Sequence, residues 1–177
     1  ALAPHATKGI PIIGLEPSCV LSLRDEFPVM MEDVALDAIT RNSFLFEEFL
    51  ATEHEAGRLD LAFRDNGPAK VLLHGHCHQK AHGVMGSVQS VLELVPGLQV
   101  EVVSSSCCGM AGAFGYQAET YDVSMKMAED SLLPAVRAAD TTTIIIADGT
   151  SCRHQIKDGA MRDAVHVALV MERALAS

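Results

Sequence analysis

The sequence predicts an α/β fold: an open, mainly parallel sheet flanked by helices. Three observations carry this. Four short β-branched runs lack strict alternation, so they read as strands buried on both faces. Stretches with apolar residues at helical spacing lie between them. The two patterns alternate along the chain, the order expected of a parallel sheet built from crossovers.

The first strand is expected at Gly9–Glu16, "GIPIIGLE". One long helix follows over Glu32–Gly57, where apolar positions repeat at helical spacing up to a terminal glycine. Ala69–Gly75, "AKVLLHG", is the second strand. The helix after it, Gly83–Gly97, closes at Pro96-Gly97. Leu98–Ser105, "LQVEVVSS", is the third strand. Ala118–Asp140 reads as a helix that turns Met125, Leu132 and Leu133 inward and is kinked or broken at Pro134. Thr141–Asp148, "TTTIIIAD", is the fourth strand, and Asp163–Ser177 is a final amphipathic helix. The polar stretch Arg58–Lys70 is the weakest part of this reading.

The chain has 177 residues, is 49% hydrophobic with no Trp, and carries a net charge of −10. That size supports a single domain with a real core. The acidic balance argues against nucleic acid and against an anionic membrane surface as partners. No apolar run is long enough to span a bilayer. The opening "ALAPHATKGI" has no Met and no signal pattern, and the chain is expected to be a C-terminal fragment of a longer protein.

One internal repeat is visible. "IIGLEPSCVLSLRD" (Ile12–Asp25) matches "IIADGTSCRHQIKD" (Ile145–Asp158) at a constant offset, with Ser18/Ser151 and Cys19/Cys152 identical. It implies Rossmann-like repeat units, with residues 1–25 the end of a first unit and 65–177 a second.

The five cysteines form an odd set in a chain too large to need disulfide staples, so metal or redox chemistry is the better reading. Cys19, Cys77, the pair Cys107-Cys108, and Cys152 each stand just past the end of a predicted strand. In a parallel sheet those ends share one edge, where such folds place ligands. Adjacent cysteines fit a single tetrahedral ion poorly. They suit a multi-iron cluster, in which each can take a different iron. Gly109 and Gly112 let the backbone after the pair turn tightly and approach a cofactor, and N–H groups at the following helix start could donate to its sulfurs. Each cysteine alone could be a small buried hydrophobe. His74, His76 and His78 read as caps of the turn, partners of sulfur or tuners of its charge. Zinc ligation by His78 or His154 is the alternative.

Together, "HGHCHQKA", "CCGMAGAFGY" and "GTSCRHQI" resemble the cysteine-rich CCG domain. That domain occurs in the B subunit of heterodisulfide reductase, the glycolate oxidase iron–sulfur subunit and the C subunit of anaerobic glycerol-3-phosphate dehydrogenase. The wording is most similar to the C-terminal part of fused proteins in which an FAD-linked oxidase module precedes a ferredoxin-like segment and two CCG repeats. These resemble D-lactate and D-2-hydroxyglutarate dehydrogenases. The resemblance implies an iron–sulfur cluster of 4Fe-4S type on Cys77, Cys107, Cys108 and Cys152. It also implies FAD only on an upstream module, and transfer of electrons to a quinone or other carrier. The location implied is cytoplasmic, or peripheral at the inner face of the membrane. The family pattern has a fifth cysteine where this chain has Gly149. Four thiolates complete a cubane, whereas a fifth donor would have to come from His154 or Cys19. The competing readings are a zinc-binding structural or docking module without a redox role, and a dithiol reductase cycling Cys107 and Cys108. Strain in vicinal disulfides disfavours the last.

Overall fold

The computed structural model describes residues 1–64 and 69–176. The chain divides into two compact units, Ala1–Asp60 and Leu61–Ser177. The predicted weak stretch at Arg58–Lys70 lies partly outside the described residues, at 65–68. Among the described residues no helix is long and apolar enough to cross a membrane.

The first unit contains α1 (Ala3–Ala6), β1 (Ile12–Gly14), α2 (Pro17–Ser22), α3 (Glu26–Met30), α4 (Leu36–Asn42), β2 (Ser43–Leu45) and α5 (Phe46–Glu55). The single helix expected over Glu32–Gly57 is interrupted. Ser43–Leu45 is extended and pairs parallel with β1, Ile12 opposite Ser43 and Gly14 opposite Leu45. Both Ser43 and Leu45 are buried. Pairing and burial here override a helical periodicity that runs through all three residues. Glu48 restarts the helix: its carboxylate accepts the Leu45 N–H at 3.0 Å and holds Arg24 through two contacts of 2.7 and 2.8 Å.

The second unit contains β3 (Lys70–His74), α6 (Cys77–Ala81), α7 (Met85–Glu93), β4 (Gln99–Val102), a 3₁₀ turn at Phe114–Tyr116, α8 (Tyr121–Glu129), α9 (Leu132–Ala138), β5 (Ile144–Ala147), α10 (Thr150–Ala160), β6 (Ala164–Val165) and α11 (Val167–Ala174). Four parallel strands lie in the order β4-β3-β5-β6, with Leu73 opposite both Val102 and Ile146. The α/β class with parallel strands and flanking helices is as the sequence predicts. The strand at Ile12–Gly14, however, forms a separate two-stranded sheet with β2.

Alternation along the strands divides the core. Leu72, Ile145 and Ala147 join Leu132, Val136 and Ile156 of α9 and α10 in one buried cluster, which also includes Cys108 and Cys152. Val71, Leu73 and Ile146 are buried on the opposite side of the pleat. Three boundaries depart from expectation. The helix over Ala118–Asp140 breaks at Asp130-Ser131 rather than at Pro134, because Pro134 falls in the first turn of α9, where its missing N–H costs nothing. No regular helix follows the cysteine pair directly; a loop runs from Val103 to the 3₁₀ turn. The final helix starts late, at Val167, since Ala164-Val165 is drawn into the sheet beside β5.

The chain passes outward from β3 to β4 and then returns across β3 to β5. The reversal leaves a crevice at the carboxyl ends of β3 and β5.

Candidate metal centre

Cysteines from three segments meet at that crevice. Cys77 opens α6 just past β3, Cys107 and Cys108 lie in the loop after β4, and Cys152 sits in the first turn of α10 after β5. The sulfurs of Cys108 and Cys152 are 3.3 Å apart. Cys77 shares a hydrogen bond with Cys107, and Cys107 with Cys108. All four are free thiols. Cys19 is exposed on α2 of the first unit and belongs to the other sheet's strand end.

The shared protons divide the set into two kinds. Hydrogen bonds from Cys108 and then Cys77, together with the Gly109 N–H at 3.3 Å, hold the Cys107 thiol far below its usual value. The hydrogen bond with Cys108, followed by the imidazole of His74, pulls Cys152 down to about 5 against the pull of burial. Cys108 is pushed up by its hydrogen bonds with Cys107 and Cys152 and by burial. Cys77 is raised by its bond to Cys107 and by burial. Two thiols of lowered pKa are thus each supported by a neighbouring thiol, a set ready to exchange protons for a soft metal.

Backbone and cationic groups support the edge. Gly109 has φ of 90°, and a Cβ there would stand 2.2 Å from the Ser124 carbonyl oxygen, so only glycine lets the loop lie this close to α8. Gly112 also has a positive φ, 66°, with open space where a side chain would be. The Gly109 N–H donates to the Cys107 sulfur at 3.3 Å, and the backbone N–H groups of His78 and Met110 support the sulfurs of Cys77 and Cys108; Gly112 is not among these donors. Lys80 straps the loop, its ammonium donating to the carbonyls of Ser105 and, at 3.2 Å, Ser106. Burial lowers the pKa of Lys80, and the surrounding cysteines oppose that shift.

The histidines take three different roles. His76 caps α6: its Nδ1 accepts the His78 N–H at 3.2 Å, and its own N–H donates to Gln79 at 2.9 Å. The Nδ1 atoms of His76 and His78 lie 3.9 and 3.8 Å from the Cys77 sulfur, as expected of caps and sulfur partners. His154 pairs with the Tyr116 hydroxyl through Nδ1. His74, buried at the end of β3, meets Ser105 Oγ at 2.9 Å through Nδ1, and no hydrogen bond of ordinary geometry satisfies its Nε2. A ring nitrogen of His74 and the sulfurs of Cys108 and Cys152 all lie within 4.8 Å of one another, and all three residues are buried. The sequence reading did not mark His74 as a ligand. The available signal was its place two residues after Leu72, on the pleat face shared with Ile145 and Ala147.

A buried network fixes the frame. Asp148 accepts from Gln79 Nε2 at 2.8 Å and from the Val167 N–H at 3.0 Å, joining the starts of α6 and α11 to the end of β5. Arg153 closes the β5–α10 turn on the carbonyls of Ala147 and Asp148.

Soft thiolates, a vicinal pair and a poorly satisfied buried nitrogen together define a site that could hold a thiophilic metal or a metal–sulfur cluster. The comparisons with known proteins point to oxidoreductases. The chain is 28% identical over 171 residues to the C subunit of anaerobic glycerol-3-phosphate dehydrogenase of Escherichia coli (strain K12), covering 96% of this chain and 41% of that protein. It is 29% identical over 154 residues to D-2-hydroxyglutarate dehydrogenase of Pantoea ananatis, and 28% over 156 residues to that of Haemophilus influenzae. Each covers 86% of this chain but 14% and 15% of those proteins. The chain therefore spans well under half the length of these relatives. No family model and no solved structure matches it.

Proposed function

We propose that this chain is an iron–sulfur electron-transfer domain of an FAD-linked 2-hydroxyacid dehydrogenase, of the D-lactate, glycolate or D-2-hydroxyglutarate type. The observation that carries the reading is the convergence of four thiols, from three strand-end segments, at the topological switch of a parallel sheet. Relatives named as dehydrogenases support it. A bound cluster supplies one-electron storage between flavin and acceptor. Cys77, Cys107, Cys108 and Cys152 hold it. Lys80, the Gly109 N–H and the first turn of α10 balance its negative charge. Gly109 and Gly112 shape the loop that approaches it. FAD and ferredoxin-like clusters belong to other modules of the full-length protein, and electrons leave to a quinone or a comparable carrier. The location proposed is the cytoplasm or the inner membrane face.

The test is iron and acid-labile sulfide per chain, with electron paramagnetic resonance, on anaerobically isolated protein. Stoichiometric iron and sulfide with a reducible signal is the expected result. A second reading, a structural zinc site, is favoured by one observation: His74, Cys108 and Cys152 form a compact three-donor group suited to one tetrahedral ion. One zinc per chain without iron or sulfide would overturn the electron-transfer reading in its favour.

A further inference from the structure

We propose that Nε2 of His74 is a direct ligand of the metal held by Cys108 and Cys152, which makes the centre a mixed thiolate–imidazole one. The inference rests on the reading of this edge as a metal centre. It replaces Cys19 and His154 as the source of a fifth donor.

Four observations lead to it. His74 is 1% exposed, so its ring cannot turn to water. Its Nε2 is buried and no hydrogen bond of ordinary geometry satisfies it, although the ring also supports the Cys152 sulfur; a buried nitrogen so poorly satisfied costs about 1–3 kcal/mol. Nδ1 is engaged with Ser105 Oγ at 2.9 Å. If Nδ1–H donates to that hydroxyl, Nε2 carries the lone pair, the tautomer a metal requires, and Ser105 serves as the outer partner that metal-bound imidazoles ordinarily have. Finally, a ring nitrogen of His74 and the two sulfurs lie within 4.8 Å of one another. Ligands at about 2.0–2.3 Å from a shared tetrahedral ion stand roughly 3.5–3.8 Å apart. The two sulfurs, 3.3 Å apart, need only spread slightly, and the imidazole nitrogen must close by at most about 1.3 Å to complete the site.

The neighbouring histidines are less suited. His76 and His78 are adjacent in sequence to Cys77 and approach its sulfur through Nδ1, in a helix cap that exists without a metal. His154 is engaged by Tyr116.

The experiment uses the full chain, labelled with ¹⁵N-histidine and prepared metal-free under anaerobic conditions. One portion is loaded with Fe²⁺ and sulfide and then reduced; a second receives Co²⁺ alone. Pulsed electron paramagnetic resonance then reads the nitrogen coupling of each. The expected result is the strong coupling of a directly bound imidazole in both. His74→Gln should lose it, while His76→Gln and His78→Gln keep it. Ser105→Ala should weaken Co²⁺ binding about 10–100-fold. A cluster that assembles without that coupling overturns the role of His74 and leaves the electron-transfer reading standing. Coupling with Co²⁺ but no iron–sulfur assembly keeps His74 and sinks the iron–sulfur reading. Binding of neither metal sinks both. The unsubstituted chain gives the primary answer, so a misfolded His74→Gln does not decide the matter. In that event, loss of the coupling in His76→Gln or His78→Gln would overturn the assignment.

Discussion

Gly149 is the position to perturb first. It caps α10 with φ of −69° and ψ of 130°, a conformation open to any residue, so backbone strain plays no part in a substitution there. The obstacle is space: a Cβ at 149 would stand 2.4 Å from His76 Cδ2 and 3.2 Å from Nε2, with Cys152 Sγ at an ordinary 3.4 Å. The ring of His76 cannot yield freely. It is 5% exposed, and its Nδ1 caps α6. Gly149→Ala must either overpack the turn, at about 1–3 kcal/mol, or displace the cap, at about 0.5–2 kcal/mol. We expect a loss of about 2 kcal/mol in urea unfolding of the metal-free chain under reducing conditions. The same change made in His76→Ala meets open room. There the relief of unfolded-state entropy, about 0.4–1 kcal/mol, offsets the weaker cap and brings the effect near zero. The double-mutant cycle should therefore return a coupling above about 1 kcal/mol. Additive costs, or a Gly149→Ala effect within about 0.5 kcal/mol in the parent chain, would refute the steric argument.

Four further outcomes follow from the site. In the metal-free chain Cys107, half-buried and with its thiol pKa held low, should be alkylated faster than Cys77, Cys108 or Cys152; peptide mapping that finds Cys108 first would contradict the proton sharing described above. Asp148→Ala strands the buried donors of Gln79 and Val167 and should cost about 2–4 kcal/mol in the same unfolding assay. Cys108→Ser should abolish metal loading, whereas Cys19→Ser should leave this centre's iron content and signal intact; the opposite pattern would reassign the ligands. Dye reduction with D-lactate, glycolate or D-2-hydroxyglutarate should require an added flavoprotein, since thiols do not accept a hydride; turnover by the chain alone would show a site of another kind.

The strands and the cysteines were legible in the sequence for the same reason. Buried β-branched runs such as Ile145-Ile146 have few alternative uses, whereas β1 and β4 are strands that stay largely exposed rather than buried on both faces; each cysteine is placed by the strand before it. Ser43–Leu45 was not legible. Its three residues fit the helical period on both sides, and only the partner β1, about 30 residues earlier, makes them a strand. Pro134 misled for the opposite reason, since a proline signal marks a helix start as readily as a helix break. His74 is hidden in the sequence because it alternates with His76 and His78 around Cys77, so spacing alone makes the three one group. The pleat separates them: His74 ends the strand on the core face, while His76 and His78 lie beyond it at the start of α6.

The internal match shows what local structure can and cannot confer. Glu16 and Gly149 are both N-caps, Pro17 and Thr150 both open the helix, and Cys19 and Cys152 are both its third residue. The strand before each pairs parallel with the strand after the helix, β1 with β2 and β5 with β6. Yet Cys19 is exposed, and Cys152 is 1% exposed among sulfurs and an imidazole. The difference comes from the next strands over. Beside β5 stand β3 and β4, whose ends deliver His74, Cys77 and the vicinal pair, whereas the sheet of the first unit consists of β1 and β2 among the described residues. A cysteine in the first turn of a helix gains a favourable dipole from its own segment. It gains ligand partners only from a neighbour across the switch point, so the chemistry of this edge is a property of strand order rather than of the Ser-Cys motif.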